Sequence, residues 1–261
     1  MEVTIAGPAA RAFCAQRLSE YRHYWVRSLI SSVLEPALFL TAMGLTLGVL
    51  VARGPGLPGD VDYLSFLAPG LLAAGAMQIG AFESTYPVLG AIKWDKTYEA
   101  VLATPARTVD LLAGHLLYVA FRVTTSSALF LAVLVLFGAA DSFLAVLAVP
   151  ACLLTGLALA APVAAFAARL DGDTGFAALT RFGIVPMFLF SGTFFPVSQL
   201  PTALEFLAYA TPLWHGVALS RGLSLETLDV AGAVLHVGYL ALWLVVGWVL
   251  ARRSFHRRLV R

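Results

Sequence analysis

The chain has 261 residues, of which 60% are hydrophobic and only 12% charged, with a formal net charge of +2. That charged fraction is about half the globular norm, so the composition fits an integral membrane protein and excludes an ordinary water-soluble enzyme. The basic residues are scattered or flank apolar runs, which leaves no basic stripe for nucleic acid.

The first 28 residues hold four arginines, two glutamates and no apolar run long enough for a cleavable signal. Membrane insertion then rests on the spans themselves. Ala10, Phe13, Cys14, Arg17, Leu18, Tyr21, Tyr24 and Trp25 fall near helical spacing. This suits an amphipathic helix in the interface, acting as a pre-span anchor or as one wall of a docking groove. Cys14 and Cys152 lie in different environments and read as two unpaired small residues rather than a disulfide or metal pair.

A bilayer core of about 30 Å needs roughly 20 apolar residues of helix. Six segments qualify: about 28–52, 63–82, 111–137, 143–168, 175–195 and 230–251. The fifth is short and carries Arg181 and Pro186. The reading is an all-α membrane protein forming one transmembrane domain over 1–261, with 1–27 as a cytoplasmic arm. Fourteen lysines and arginines fall on one side of these spans: Arg11, Arg17, Arg22, Arg27, Lys93, Lys96, Arg107, Arg169, Arg181, Arg252, Arg253, Arg257, Arg258 and Arg261. Arg53 and Arg221 fall on the other, and Arg122 lies within a span. Basic residues mark the cytoplasmic side, so both termini are expected there. The loop 53–62, a turn near Asp141 and the segment 196–229 would then face outward.

Intramembrane ionisable groups are costly, at least about 2.5 kcal/mol on insertion scales, and mark functional positions. Glu35, followed by Pro36, lies in the first span, Glu83 ends the second, and Arg122 lies in the third. Glu35 and Arg122 either pair across helices, or Arg122 reaches the inner headgroups while Glu35 faces wet protein.

The inner loop 83–110 contains AIKWDKTYEAVLATPARTVD, with charges of both signs and helix formers from Asp95 to Leu102. Thr104-Pro105 ends that helix. Trp94 and Tyr98 stand four apart and would share its face. The loop is either a knob for a partner's groove or a solvated segment on the headgroups.

The stretch FSGTFFPVSQLPTALEFLAYATPLWHG, 190–216, is apolar yet broken by prolines and glycines. A broken backbone near lipid survives only where protein or a wet cavity covers it. Two short helices hinged near Pro201 and ending near Pro212 are expected, as an outer gate or a structural cap.

Enzyme motifs are missing. There is no G-x-x-x-x-G-K-[ST] and no H-E-x-x-H. Ser191 with His215 downstream is the nearest nucleophile pair, but G-x-S-x-G is absent. A proton-coupled carrier and an intramembrane serine protease therefore stand as alternatives to a transport subunit that borrows its energy from a separate ATPase.

The runs SGTFFPVSQLP, PLWHG and SRGL resemble the signature of ABC-2 type exporter permeases. VLEPALFLTAMGLTLG, YLSFLAPGLLAAGAM, FESTYPV and YEAVLATPARTVDLLAG resemble the branch that exports nodulation lipo-chitooligosaccharides, a group whose members also handle antibiotics and cell-surface glycolipids. The likeness covers about residues 10 to 255. It implies six spans in a bacterial inner membrane, a second permease copy, and two separate ATPase subunits that bind ATP-Mg, with no cofactor on this chain. It also implies that Lys93, Trp94, Asp95, Lys96, Thr97, Tyr98 and Glu99 contact the ATPase. Phe194, Phe195, Pro196, Pro201 and Pro212 would belong to external re-entrant helices at the exit. Some members carry a glutamate just before a glycine in the coupling region, whereas this chain has WDKTYE.

A cysteine tag on either terminus is expected to be shielded from a membrane-impermeant thiol reagent in intact cells. Labelling at either end would reverse the orientation.

Overall fold

Long apolar runs with few breakers can satisfy their backbone in lipid only as helices. The computed structural model describes residues 7–52, 62–140 and 142–260, and among them every regular element is helical. In order these are α1 (Pro8–Tyr21), α2 (Trp25–Ala52), α3 (Tyr63–Glu83), α4 (Tyr86–Lys93), α5 (Thr97–Leu102) and α6 (Thr108–Leu136). A 3₁₀ turn (Phe143–Leu147) leads into α7 (Ala148–Ala167). There follow α8 (Thr174–Leu179), α9 (Val185–Phe190), α10 (Thr202–Tyr209), α11 (Pro212–Ser224) and α12 (Val230–Leu259). The expected features at 53–61, Asp141 and Arg261 lie outside the described residues.

Among the described residues, five stretches are long and apolar enough to cross a membrane: Trp25–Met43, Tyr63–Lys93, Thr108–Leu136, Phe143–Ala167 and Val230–Leu259. The expected fifth span appears as a shorter apolar helix, Thr174–Phe190, and ends five residues before Phe195. Its 17 residues reach about 26 Å at 1.5 Å each, less than the hydrocarbon thickness of about 30 Å. A π turn at Thr180–Ile184 joins α8 to α9, with the Val185 N–H bonded to the Thr180 carbonyl. Pro186 lacks an N–H and would crowd the preceding turn; the wider turn accommodates it without ending the helix.

Alanine-rich α7 is the centre of the bundle, packed by α3, α6, α11 and α12. Small residues let transmembrane backbones approach closely. At the α3–α7 crossing, a Cβ on Gly80 would meet the Gly156 carbonyl oxygen at 2.1 Å. A Cβ on Gly156 would meet the Ala76 carbonyl oxygen at 2.9 Å.

The two ends of the bundle are built differently. At one end Tyr98 of α5 sits between Phe13 of α1 and Phe255 of α12, each ring centroid 5.7 Å away. Lys93 Nζ donates to the Asp171 carbonyl, Asp171 pairs with Arg258 at 2.8 Å, and Arg169 Nε donates to Ser254 Oγ at 2.9 Å. The arm, the 83–110 loop, the 169–173 turn and the C-terminal helix thus gather together. At the other end Ser142 Oγ donates to Glu226 at 2.7 Å and the Tyr63 hydroxyl reaches the Phe194 carbonyl at 3.4 Å.

Gly80→Val is expected to destabilise the protein by about 1–3 kcal/mol through overpacking, read as a lowered thermal midpoint in detergent. An unchanged midpoint would mean that the α3–α7 backbones are not in contact.

Candidate functional site

A cavity lies between α2, α3, α6 and α9, lined by Pro36 and by ionisable residues of α2, α3 and α6. Its volume is about 760 Å³. Along α3 it extends from Leu71 to Glu83, or about 18 Å of helix at 1.5 Å per residue. The cavity is graded. Glu83 and Arg122 line one end beside Pro87, while Phe39, Leu71, Phe130 and Phe188 supply apolar walls. Ser32, Gln78 and Ser126 are the intermediate polar groups. All three intramembrane ionisable residues singled out in the sequence, Glu35, Glu83 and Arg122, line this one space.

Of the two arrangements left open by the sequence, the Glu35–Arg122 pair does not form. Arg122 is bound to Glu83, not to Glu35, with Nε donating to Oε1 at 3.1 Å. Its Nη1 donates to Ser28 Oγ, and the guanidinium lies 4.7 Å from the Tyr21 ring centroid. The reason is positional. Glu83 ends α3 at the level where α6 presents Arg122, while Glu35 stands about two turns beyond Ser28 along α2. One turn further along, Ser126 Oγ donates to Ser32 Oγ at 3.0 Å. Among the described residues Glu35 has no ion pair, and its side chain is exposed.

Glu83 leads directly into the segment expected to meet a partner. Ser84 Oγ and His115 Nε2 are 3.1 Å apart, fastening the junction to α6. The predicted helix from Asp95 is corrected here. α4 stops at Lys93, the Trp94 and Asp95 N–H groups both reach the Gly90 carbonyl, and Lys96 adopts φ 52 before α5 begins at Thr97. No glycine announces that left-handed residue, which is why helix-forming composition concealed the turn. Trp94 and Tyr98 therefore do not share a face. Trp94 is 55% exposed at the tip, and Tyr98 is 1% exposed as the anchor. Burial pushes the Tyr98 phenol well above its usual range, so it remains a neutral ring. Lys93, Asp95, Lys96 and Glu99 are exposed around Trp94, and Thr97 is half-buried.

The broken stretch 190–216 is held from within. Gly192 has φ +81, and a Cβ there would meet Val197 at 2.8 Å, so the turn requires glycine. Arg221 of α11 reaches back: Nε donates to the Phe66 carbonyl at 3.0 Å, and Nη2 to those of Gly192 at 2.8 Å and Thr193 at 3.4 Å. Its guanidinium stacks 3.7 Å from the Phe66 ring centroid. The sequence placed Arg221 only as an outer-side charge and gave no sign of this role; its acceptors are backbone atoms, which no motif records.

Phe194 packs against Phe188 and Phe39, centroids 5.1 and 6.1 Å away, which puts it at the apolar end of the cavity. Phe195 and Pro196 are half-buried beside it. Pro201 caps α10, and Pro212 is the first residue of α11, so the second helix begins at Pro212 and runs on to Ser224 rather than ending there. Ser191 Oγ contacts Thr193 Oγ1 at 2.9 Å. His215 is engaged by His236 at 2.8 Å and by the Tyr209 carbonyl at 3.1 Å. Each of the two has its own partners, so no nucleophile–base pair forms.

Residues 11–225 match the family model described as ABC-2 type transporter. The chain belongs to the ABC-2 type transporter family. It is 31% identical over 241 residues to Nodulation protein J of Rhizobium leguminosarum bv. viciae, covering 91% of each chain. It is 32% identical over 234 residues to Nodulation protein J of Rhizobium leguminosarum bv. trifolii, covering 90% of this chain and 87% of that one. The inner membrane transport permease YadH of Escherichia coli strain K12 is 24% identical over 261 residues, covering 94% of this chain and 95% of that one. ABC-2 permeases are integral membrane transport subunits that work with an ABC ATPase, and the resemblance read from the sequence is borne out at this level.

Removing Arg122 strands Glu83, and the reverse. Arg122→Leu and Glu83→Leu should each cost about 1.5–3 kcal/mol, the worth of a charged hydrogen bond. The double substitution should cost less than their sum. Additive losses in thermal unfolding would show that the pair is not coupled.

Proposed function

We infer that the chain is the membrane-spanning half of an ATP-driven exporter of an amphiphile: a lipid-linked, glycolipid or drug-like molecule leaving the cytoplasm. The observation that carries this reading is the graded cavity, whose polar end is closed by the Arg122–Glu83 pair at the root of the α4–α5 hairpin. An amphiphile matches such a space, with its head among the polar groups and its tail along the phenylalanines.

In this reading the chain crosses the bilayer six times, the short α8–α9 helix being the fifth crossing, and both ends are cytoplasmic. Two copies of the permease meet two ATPase subunits. The hairpin tip, with Trp94 surrounded by Lys93, Asp95, Lys96 and Glu99, enters a groove of the ATPase, while Tyr98 anchors the tip from below. The arm α1 lines the same groove. ATP-driven closure of the partner pushes the hairpin, and the push reaches the cavity through Glu83 and Arg122. α2, α3 and α8–α9 then shift as rigid bodies. The external α10–α11 pair, re-entrant from the outer face, opens beside Phe194 for release. The permease itself makes and breaks no covalent bond.

Co-expression with its cognate P-loop ATPase is the test. The wild-type pair should co-purify, and substrate should stimulate ATP hydrolysis. Trp94→Ala should lower that stimulation and export by about tenfold or more, the loss expected of an aromatic anchor worth about 2 kcal/mol, while leaving the fold intact by circular dichroism. Export that persists without any ATPase would return the protein to the proton-coupled class.

A further inference from the structure

Charge sorts the cavity's possible ligands. Of its three ionisable groups, Arg122 is fully engaged by Glu83, Ser28 and the face of Tyr21. Glu83 is neutralised by Arg122. Among the described residues Glu35 has no ion pair, which leaves it as the acidic group on the cavity wall without a cationic partner.

The backbone reinforces this. Pro36 has no N–H, so the carbonyl of Ser32, one turn earlier, lacks its helical donor. Ser32 and Glu35 both line the cavity, and the Glu35 carboxyl group adds two acceptor oxygens to its wall. The phenylalanines around them attract cations through their ring faces. Glu35 also lines a shallow groove on the outward side of α2, with Ile30, Leu34 and Leu38. It therefore stands at the lateral mouth of the cavity, where an amphiphile would enter from the bilayer. Arg27 is at the far end of that groove, eight residues away along α2, or about 12 Å. It lines the groove and not the cavity.

We propose that Glu35 is the specificity-determining residue of this cavity and that it selects amphiphiles with a cationic head group, an ammonium or amidinium on an apolar body. An anionic head finds no free cation among the described lining residues, and a neutral one forgoes the carboxylate. This rests on the exporter reading for its biological meaning but concerns binding alone, so it can fail while that reading stands.

The purified permease in maltoside micelles, without ATPase, supplies the test. Fluorescence anisotropy would follow the binding of a rhodamine ethyl ester cation and of an uncharged dye ester of similar size. The cation should bind more tightly. Glu35→Gln should weaken the cation by about tenfold or more, equivalent to about 1.4 kcal/mol, and leave the neutral dye unchanged. Glu35→Asp should restore most of the loss. Equal weakening of both dyes, or an unchanged cation affinity in Glu35→Gln, would overturn the proposal. Phosphatidylethanolamine added to the micelles distinguishes the source. If it competes with the cation, the proposal holds with a membrane lipid as occupant; if the cation still binds, it holds with a free amphiphile. Loss of the ATPase interaction in the earlier test, with cation selectivity intact, would refute the exporter and leave the site.

Discussion

A polypeptide in lipid must satisfy every backbone N–H and C=O from within the protein. That constraint governs the most irregular part of this molecule. The α8–α9 helix stops at Phe190, short of a bilayer's width, and the chain then turns at Gly192 and Thr193, whose carbonyls have no helical N–H to accept from. Arg221 supplies donors there. One guanidinium binds the carbonyls of Gly192, Thr193 and Phe66, and its flat face lies on the Phe66 ring. Arginine suits the task because its planar fork carries several donors and is weakly hydrated. The charge is offset locally, and α3, α9 and α11 are joined at one point. Gly70 makes room there, since a Cβ would meet Arg221 Nη2 at 3.0 Å and the Thr193 carbonyl oxygen at 3.1 Å.

The same economy operates at the opposite end. Arg122 lies in a span, where a lone cation would be expensive, and Glu83, Ser28 and Tyr21 converge on it. These partners come from α3, α2 and α1. Stabilising one charge thus fixes the relation of three helices at the place where the membrane bundle passes into the α4–α5 hairpin. Glu35 is the exception, and an unpaired carboxylate in that setting is where a ligand has something to contribute.

The sequence made much of this legible. Hydrophobic runs located the long helices closely, because apolar length is a direct physical requirement. α2 begins three residues before its predicted start, and α12 continues eight residues past its predicted end, because basic residues at a helix C-terminus favour helix rather than break it. The ionisable residues Glu35, Glu83 and Arg122 were recognisable as special, and they do share one cavity. Their pairing was not readable, since it depends on the relative heights of α2, α3 and α6. The hairpin turn at Lys96 was hidden because a lysine occupies a conformation that glycine usually marks. Arg221 was hidden for a different reason: side chains can be sorted by pattern, but the carbonyls they seek look alike at every position.

Tyr98 gives the hairpin a mechanical character. Its ring is wedged between Phe13, near one terminus, and Phe255, near the other, while Trp94 protrudes a few residues away. Under the proposed coupling role, the short α5 helix would serve as a lever with a greased pivot. Force applied at the tryptophan would turn about the tyrosine and be felt in the N-terminal arm and the C-terminal helix together, so trimming either tail would loosen the fulcrum and blunt the stroke.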